Sequence, residues 1–371
     1  KPIPSSSLPQ NSDVQAPGGG INAPSVQMGV ATAAQRAEAL RSSPRINIDS
    51  PTLYGSIALV GGRIDDLILK NYGQGVEEDS ERIHLLHPVG APKSYYAEFG
   101  WVGSSNDLKL PGANTTWKAT QTELRPGKPV TLTWDNQSGL LFERTYEIDD
   151  GYMITATQRV TNTKKKSVGL FPYGLIARSG TPNTLGFYIL HEGPLGVFND
   201  TLREYDYDDL QETRKVEVQS TGGWIGITDK YWLAALVPDQ SVGSTYRFVH
   251  SLKNKDDRYQ VDYLGQETRI AVGQQIETVN RLFAGAKEVK LLDAYSEQYG
   301  IKNFDLAVDF GWFYFLTKPF FYAISWLNTY LGNFGLAIIA FTVFVKIVFF
   351  PLANKSYKSM AKMRELTPKM M

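Results

Sequence analysis

Cysteine is absent from all 371 residues. Disulfides, thiolate nucleophiles and zinc or iron–sulfur sites built on sulfur are therefore excluded. Only four histidines occur, too few for a histidine metal cage, and no metal or cofactor is expected. Excess charge is also missing. The 38 basic and 38 acidic side chains cancel, so no global field points to nucleic acid and no nucleic-acid specificity is expected. The chain starts at Lys1 without an initiator Met, a signal peptide or an N-terminal apolar run. It is expected to be part of a longer polypeptide.

What is present divides into distinct textures. The length suggests two or three units, and a hydrophobic share of 42% excludes both a disordered chain and a fully polytopic membrane protein. Average neutrality hides an asymmetry. Residues 353–371 hold Lys355, Lys358, Lys362, Arg364 and Lys369 against Glu365 alone, a local +4 that leaves −4 on the other 352. Residues 1–44 are dense in Pro, Ser, Gly, Gln and Asn, cannot offset their ordering entropy, and read as a flexible linker.

Residues 45–300 have β texture, closed by one helix. Ile46 and Ile48 alternate, and Ser56–Val60 meets a turn at Gly61–Gly62. From Tyr152 to Thr163 one set (Tyr152, Ile154, Ala156, Gln158, Val160) alternates with another (Met153, Thr155, Thr157, Arg159, Thr161). Asp149–Asp150–Gly151 is a hairpin signal between two such runs. Further strands are expected at 167–177, 187–191, 214–218, 224–228, 232–237, 244–250, 258–263 and 275–283. More than ten strands without interleaved long helices predict a mainly β fold, a large antiparallel sandwich. Residues 287–299 change to helical spacing, with Gly300 as the stop.

Composition then shifts. Phe310–Tyr330 contains ten aromatics in twenty-one residues, with Lys318 its one charge. Pro319 and the spacing of Tyr322, Ser325 and Asn328 opposite Phe321, Ile324 and Leu327 predict an amphipathic helix within 301–332. It would start near Pro319 and lie at the membrane surface, with Trp312, Trp326 and Tyr330 as interfacial anchors. After a turn at Gly332–Asn333, residues 333–353 read as one transmembrane helix, with Lys346 its one charge. Residues 354–371 begin a basic helical region. Short basic flanks stay in the cytoplasm. That puts the β domain across the membrane, in the periplasm of a Gram-negative cell.

Several ordered motifs occur in residues 309–371. They are Asp309-x-Gly311-Trp312, Gly332-Asn333-x-Gly335, Thr342 with a basic residue four later, Phe350-Pro351-Leu352, and Ser359-Met360-Ala361-Lys362-Met363. Together they resemble the YidC/Oxa/Alb family of membrane protein insertases, in its form with a large periplasmic domain. The resemblance implies a β-supersandwich, mutarotase-like periplasmic fold and a five-helix core whose hydrophilic groove opens to cytoplasm and lipid. Implied partners are nascent inner-membrane proteins, the Sec translocon, the lipid bilayer, and the ribosome on the basic cytoplasmic side. Work would be that of an inner-membrane insertase and chaperone, without covalent chemistry. The family's first helix is expected before Lys1 and its remaining spans after Met371, so this chain holds at most one wall of the groove.

Lys346 and Thr342, four residues apart, form a polar stripe in an apolar helix. A cation in a span costs about 2.5–3.5 kcal/mol at the centre, which asks for a function; snorkelling to the basic end is the plainer account. In the family a cation here belongs to the groove and is usually Arg, so Lys keeps the charge without the guanidinium fork. Tyr357, Met360, Met363 and Leu366 recur every three residues, a soft face for client segments or for lipid headgroups. His84-x-x-His87 lacks a third ligand nearby. His191, Glu192 and His250 leave open a second reading, a membrane-anchored carbohydrate-binding or mutarotase-like protein, which needs them in one cleft. Lys164–Lys166 reads as a solvated hairpin loop, and Glu204–Asp209 as an acidic loop.

Overall fold

Along Met153–Asn162 every second residue from Ile154 to Asn162 is buried and the residues between are half-exposed, as expected of a strand with one face on a core. Among the described residues, twenty strands and three α-helices belong to the first of two units, residues 1–308, and two α-helices to the second, 309–371. The computed structural model describes residues 33–366 apart from 76, 78, 185–189, 254, 255 and 312, and gives the backbone alone at 361, 362 and 364–366. Most of the expected linker therefore lies outside the described residues, as does most of the strand expected at 187–191. The next strand found is Gly193–Phe198.

The larger sheet has eleven strands. Its path runs Lys215–Thr221, Gly243–Lys253, Asp256–Gly265, Val168–Ser179, Tyr95–Gly103, Arg63–Gly73, Leu53–Ala58, Arg45–Asp49 and Glu123–Leu124. The nine-stranded sheet centres on Trp232–Val237, Gln275–Ala286, Met153–Asn162 and Leu140–Ile148. Pairing is antiparallel except between Arg45–Asp49 and Glu123–Leu124. Tyr146, Tyr152, Trp224, Phe248 and Phe283 fill the space between the sheets. This is the antiparallel sandwich that the texture predicts.

Local chemistry explains several joints. Asp149 Oδ1 accepts from the amides of Gly151 and Met153, both at 3.0 Å, and closes the expected hairpin. Lys164–Lys166 is solvent-facing but joins strands of different sheets, so it is a crossover and not a hairpin loop. Asn162 holds it by donating to Lys166 O and accepting from Lys164 N. In the acidic run, Tyr205 packs on Phe248 and Tyr207 on Tyr259, while Asp208 and Asp209 stay exposed. That segment is a strand end leading into a short helix, not a plain loop.

The described residues also form five α-helices: α1 (Ala33–Arg41), α2 (Tyr207–Thr213), α3 (Val289–Tyr299), α4 (Tyr314–Leu331) and α5 (Phe334–Leu366). Gly300 ends α3 in the left-handed conformation, φ 63°, as its position suggests. Tyr295 of α3 donates to Asp149 and accepts from the amide of Tyr152, which staples the helix to the hairpin. The packed unit does not stop there. Ile301, Phe304 and Ala307 are buried in the same core, because a 3-10 turn at Phe304–Ala307 carries them back under the sheets. At the other end, α1 buries Ala39 and pairs Arg36 with Asp66.

Candidate functional site

Within the second unit, two adjacent caps make the turn. Gly332 takes φ 64° and its amide bonds to Asn328 O at 2.9 Å, ending α4. Asn333 Oδ1 then accepts from the amide of Leu336 at 3.1 Å, starting α5. Phe320 meets Phe341 edge-on at 5.0 Å and Ala337 is fully buried, so α4 folds back along the first turns of α5. Pro319 is not at the first helical position. The helix begins five residues earlier, where the amides of Leu316 and Thr317 are satisfied by Phe313 O.

Among the described helices, one is long and apolar enough to cross a membrane, over Phe334–Met360. The apolar helix expected at 333–353 and the basic region after it are one continuous α5 of 33 residues. Pro351 removes a single backbone donor, whereas continuation through Ala, Lys, Met and Leu regains a bond per residue.

This continuity brings the candidate residues into relation. With about 100° per residue, Thr342, Lys346, Tyr357 and Met360 fall within a stripe about 60° wide. Thr342 and Met360 are five turns apart on one line, about 27 Å. Ala337 and Phe341 mark the opposite side, against α4. Thr342, Lys346, Tyr357 and Met360 are all exposed, Met360 to 49%. The Thr342 hydroxyl donates to Ile338 O at 2.8 Å, leaving its lone pairs outward. A three-residue spacing drifts about 60° per step on an α-helix, so Met363 and the backbone position of Leu366 lie progressively off the stripe. Trp326 and Tyr330 pair edge-on at 4.9 Å and are 60% and 73% exposed. Trp312 lies outside the described residues.

The histidines of the β unit are engaged locally. His191 Nε2 bonds Pro194 O at 3.2 Å, with Asp206 3.4 Å from Nδ1. Glu192 accepts from the Lys230 amide, and His250 Nε2 bonds Asp257 at 2.9 Å. None of the three lines either of two cavities of about 730 and 600 Å³, so the acid/base set is not assembled there. Among the described residues no group of three or more His, Asp and Glu could hold a metal ion.

His84 and His87 are stacked at 6.1 Å beside Arg36 of α1. Burial, then the Arg36 and His84 charges, push His87 down from 6.5 to about 4. The unfolded chain binds a proton here that the folded chain refuses. Stability present above pH 6.5 is therefore lost as pH falls toward 4, by roughly 3 kcal/mol. His87→Gln should lose less stability than the parent between pH 7 and about 4.5, read as the shift in urea midpoint.

Strand periodicity alone does not reveal a set of buried ion pairs on the large sheet. There Arg45 pairs with Asp65, Arg36 with Asp66 and Arg63 with Glu98. A bulge opposite Ser56 turns both Asp65 and Asp66 to one side. The signal available was Arg63-Ile64-Asp65-Asp66, which breaks the alternation of a strand.

Residues 45–323 match the family described as the YidC periplasmic domain, and residues 326–371 match the 60Kd inner membrane protein family. The membrane protein insertase YidC of Methylorubrum extorquens is 47% identical over 366 residues, covering 95% of this chain and 59% of that protein. The insertase of Granulibacter bethesdensis is 46% identical (89% and 58% covered), and that of Rickettsia prowazekii 45% (87% and 58%). The chain thus spans somewhat under three fifths of these relatives' length. Among solved structures, a galactose mutarotase-like protein from Lactobacillus casei covers 65% of this chain and 99% of its own, at 12% identity and a TM-score of 0.45. That likeness is one of outline and says nothing of function. With its β unit matched by one profile of the family and its apolar helix by the other, and with relatives at 45–47% identity over most of its length, the chain belongs to the YidC family.

Proposed function

We propose that this chain is the part of an inner-membrane insertase and chaperone that supplies the large periplasmic domain and one wall of the client groove. The observation that carries this reading is the Thr342–Lys346–Tyr357–Met360 stripe, continuous on α5 and turned away from α4. Lys346 supplies a positive charge inside the membrane and Thr342 helps hydrate the same face. Tyr357 and Met360 offer soft, apolar contact to a client where the groove meets the cytoplasm, with Met363 at its margin, while the Leu366 position, about 120° around the helix from Met360, falls outside it. No bond is made or broken. The groove lowers the penalty of taking a client's polar tail part-way across. Partners on this reading are nascent inner-membrane proteins, the lipid bilayer, the Sec translocon, and the ribosome on the basic side.

Photo-crosslinkers at Thr342 and Met360 of the full-length protein should capture nascent membrane proteins, while one at Ala337 should not. Equal capture from all three sites would remove the groove reading.

On the same reading α4 lies at the outer interface against the start of α5, anchored by Trp312, Trp326 and Tyr330. Its polar residues recur at helical spacing, and α5 is the described helix with the length and apolarity to span. Cysteines at Asn303 and Asn354 should then be labelled from opposite sides of the membrane. Labelling from one side would make α4 a second span.

A further inference from the structure

We propose that one edge of the large sheet, the strand Lys215–Thr221, takes up an extended polypeptide as an added strand. Resting on the reading above, the occupant is the translocated tail of a client, which meets the domain before it has secondary structure of its own.

Among the described residues this strand pairs on one side only, with Gly243–Lys253. The amide of His250 donates to Arg214 O at 2.8 Å, which sets the alternation along the pair. Val216, Val218 and Ser220 therefore turn their backbone groups toward the neighbouring strand, and Lys215, Glu217 and Gln219 turn theirs outward. From that outer side the Asn199 side chain donates to Gln219 O at 3.0 Å, as an outward carbonyl allows. The outward amides of all three residues, and the carbonyls of Lys215 and Glu217, have no protein partner among the described residues. All three residues are exposed.

Sheet ends are ordinarily blunted by shortness, proline or a bulge. The other three ends are Glu123–Leu124, Lys118–Ala119 and Thr201–Glu204, of two, two and four residues. Lys215–Thr221 has seven residues in unbroken register and no proline. Beside it lies a cavity of about 730 Å³, lined by Lys215, Glu217, Gln219 and Thr221 of the edge and by Thr245 and Arg247 of the next strand. An added strand sets alternate side chains against this space. The charges there are already met, since Lys215 pairs with Glu217 at 2.9 Å and Arg247 with Asp262 at 2.8 Å. Recognition thus falls on the main chain, and such an edge accepts many sequences.

The test uses the full chain in nanodiscs, with a fluorescein-labelled peptide of alternating threonine and valine as probe. Its anisotropy should rise saturably with the chain and not with empty nanodiscs. N-methylation of alternate peptide amides removes main-chain donors and keeps the side chains, and should weaken binding at least about tenfold. Glu217→Pro removes an outward N–H and no bond to the neighbouring strand, so it should weaken binding about as much, whereas Glu217→Gln should change it less than about twofold. If Glu217→Pro does not fold, the methylated peptide on the unaltered chain decides. In cells, a photo-crosslinker at Gln219 of the full-length protein should capture a client's translocated tail, and one at Lys118, on a two-residue edge of the other sheet, should not. Equal binding of the methylated peptide, undiminished binding by a folded Glu217→Pro chain, or pairing of two copies through this strand in place of the peptide would overturn the proposal. So would client capture from Met360 with none from Gln219. The peptide measurements do not involve α5, so loss of the groove reading alone leaves the edge standing.

Discussion

Full-length protein carrying Lys346→Glu should fail to support growth of a strain depleted of its own insertase, while Lys346→Arg should support it and Lys346→Ala should fall between. The charge faces away from α4 on an exposed stripe of α5. At about 6 Å and an effective dielectric of about 20, a cation attracts a client carboxylate by roughly 3 kcal/mol. Glutamate reverses the sign, so the swing is about 5 kcal/mol, enough to slow a barrier crossing by thousands-fold. Alanine loses the attraction but adds no repulsion. If Lys346 merely snorkels to the basic end of α5, Ala and Glu should act only through abundance or topology. Membrane protein levels measured in parallel separate the two accounts. Losses confined to particular clients fit the groove; normal growth with Lys346→Glu at normal abundance does not.

A fragment spanning residues 33–308 should be soluble, β-rich by circular dichroism, and unfold cooperatively in urea. Ending it at Tyr299 should destabilise it severely. Phe304 is fully buried, edge-on to Trp224 and to Phe283 at 5.4 Å each, and Ile301 and Ala307 go with it. Removing a buried Phe side chain costs about 3–5 kcal/mol, a large part of the roughly 5–15 kcal/mol available to a domain. Phe304→Ala in the longer fragment should reproduce most of the loss as a lower urea midpoint with an unchanged slope. Equal midpoints for fragments ending at 299 and at 308 would show that the core closes without this turn.

The legible parts of the fold were those governed by neighbours in sequence. Alternation from Tyr152 to Thr163 needs only the two-residue period of a strand, and Asp149–Gly151 needs only an Asp side chain that can reach the amides two and four residues on. Gly300 and Gly332 are readable because a left-handed helix end is cheapest without a Cβ. The candidate site was half legible. Thr342 and Lys346 share a face by spacing alone, but Tyr357 and Met360 join them only if the helix runs through Pro351.

Residue order and composition were enough for the β character of the first unit, the long apolar stretch of residues 334–352, the one cation within it and the membership suggested by the motifs of residues 309–371. Each rests on local periodicity, side-chain hydration or residue order, which act over a few turns. Tertiary structure decided what depends on distant partners. It set the two sheets and their strand order, the crossover at Lys164–Lys166, and the return of Phe304 to the core. It also placed α1 on Asp66 and α4 against one side of α5, with Thr342, Lys346, Tyr357 and Met360 exposed on another. Such choices turn on which apolar faces and which opposite charges meet once the chain has closed on itself, and many pairings of similar strands satisfy the same alternation until packing selects one.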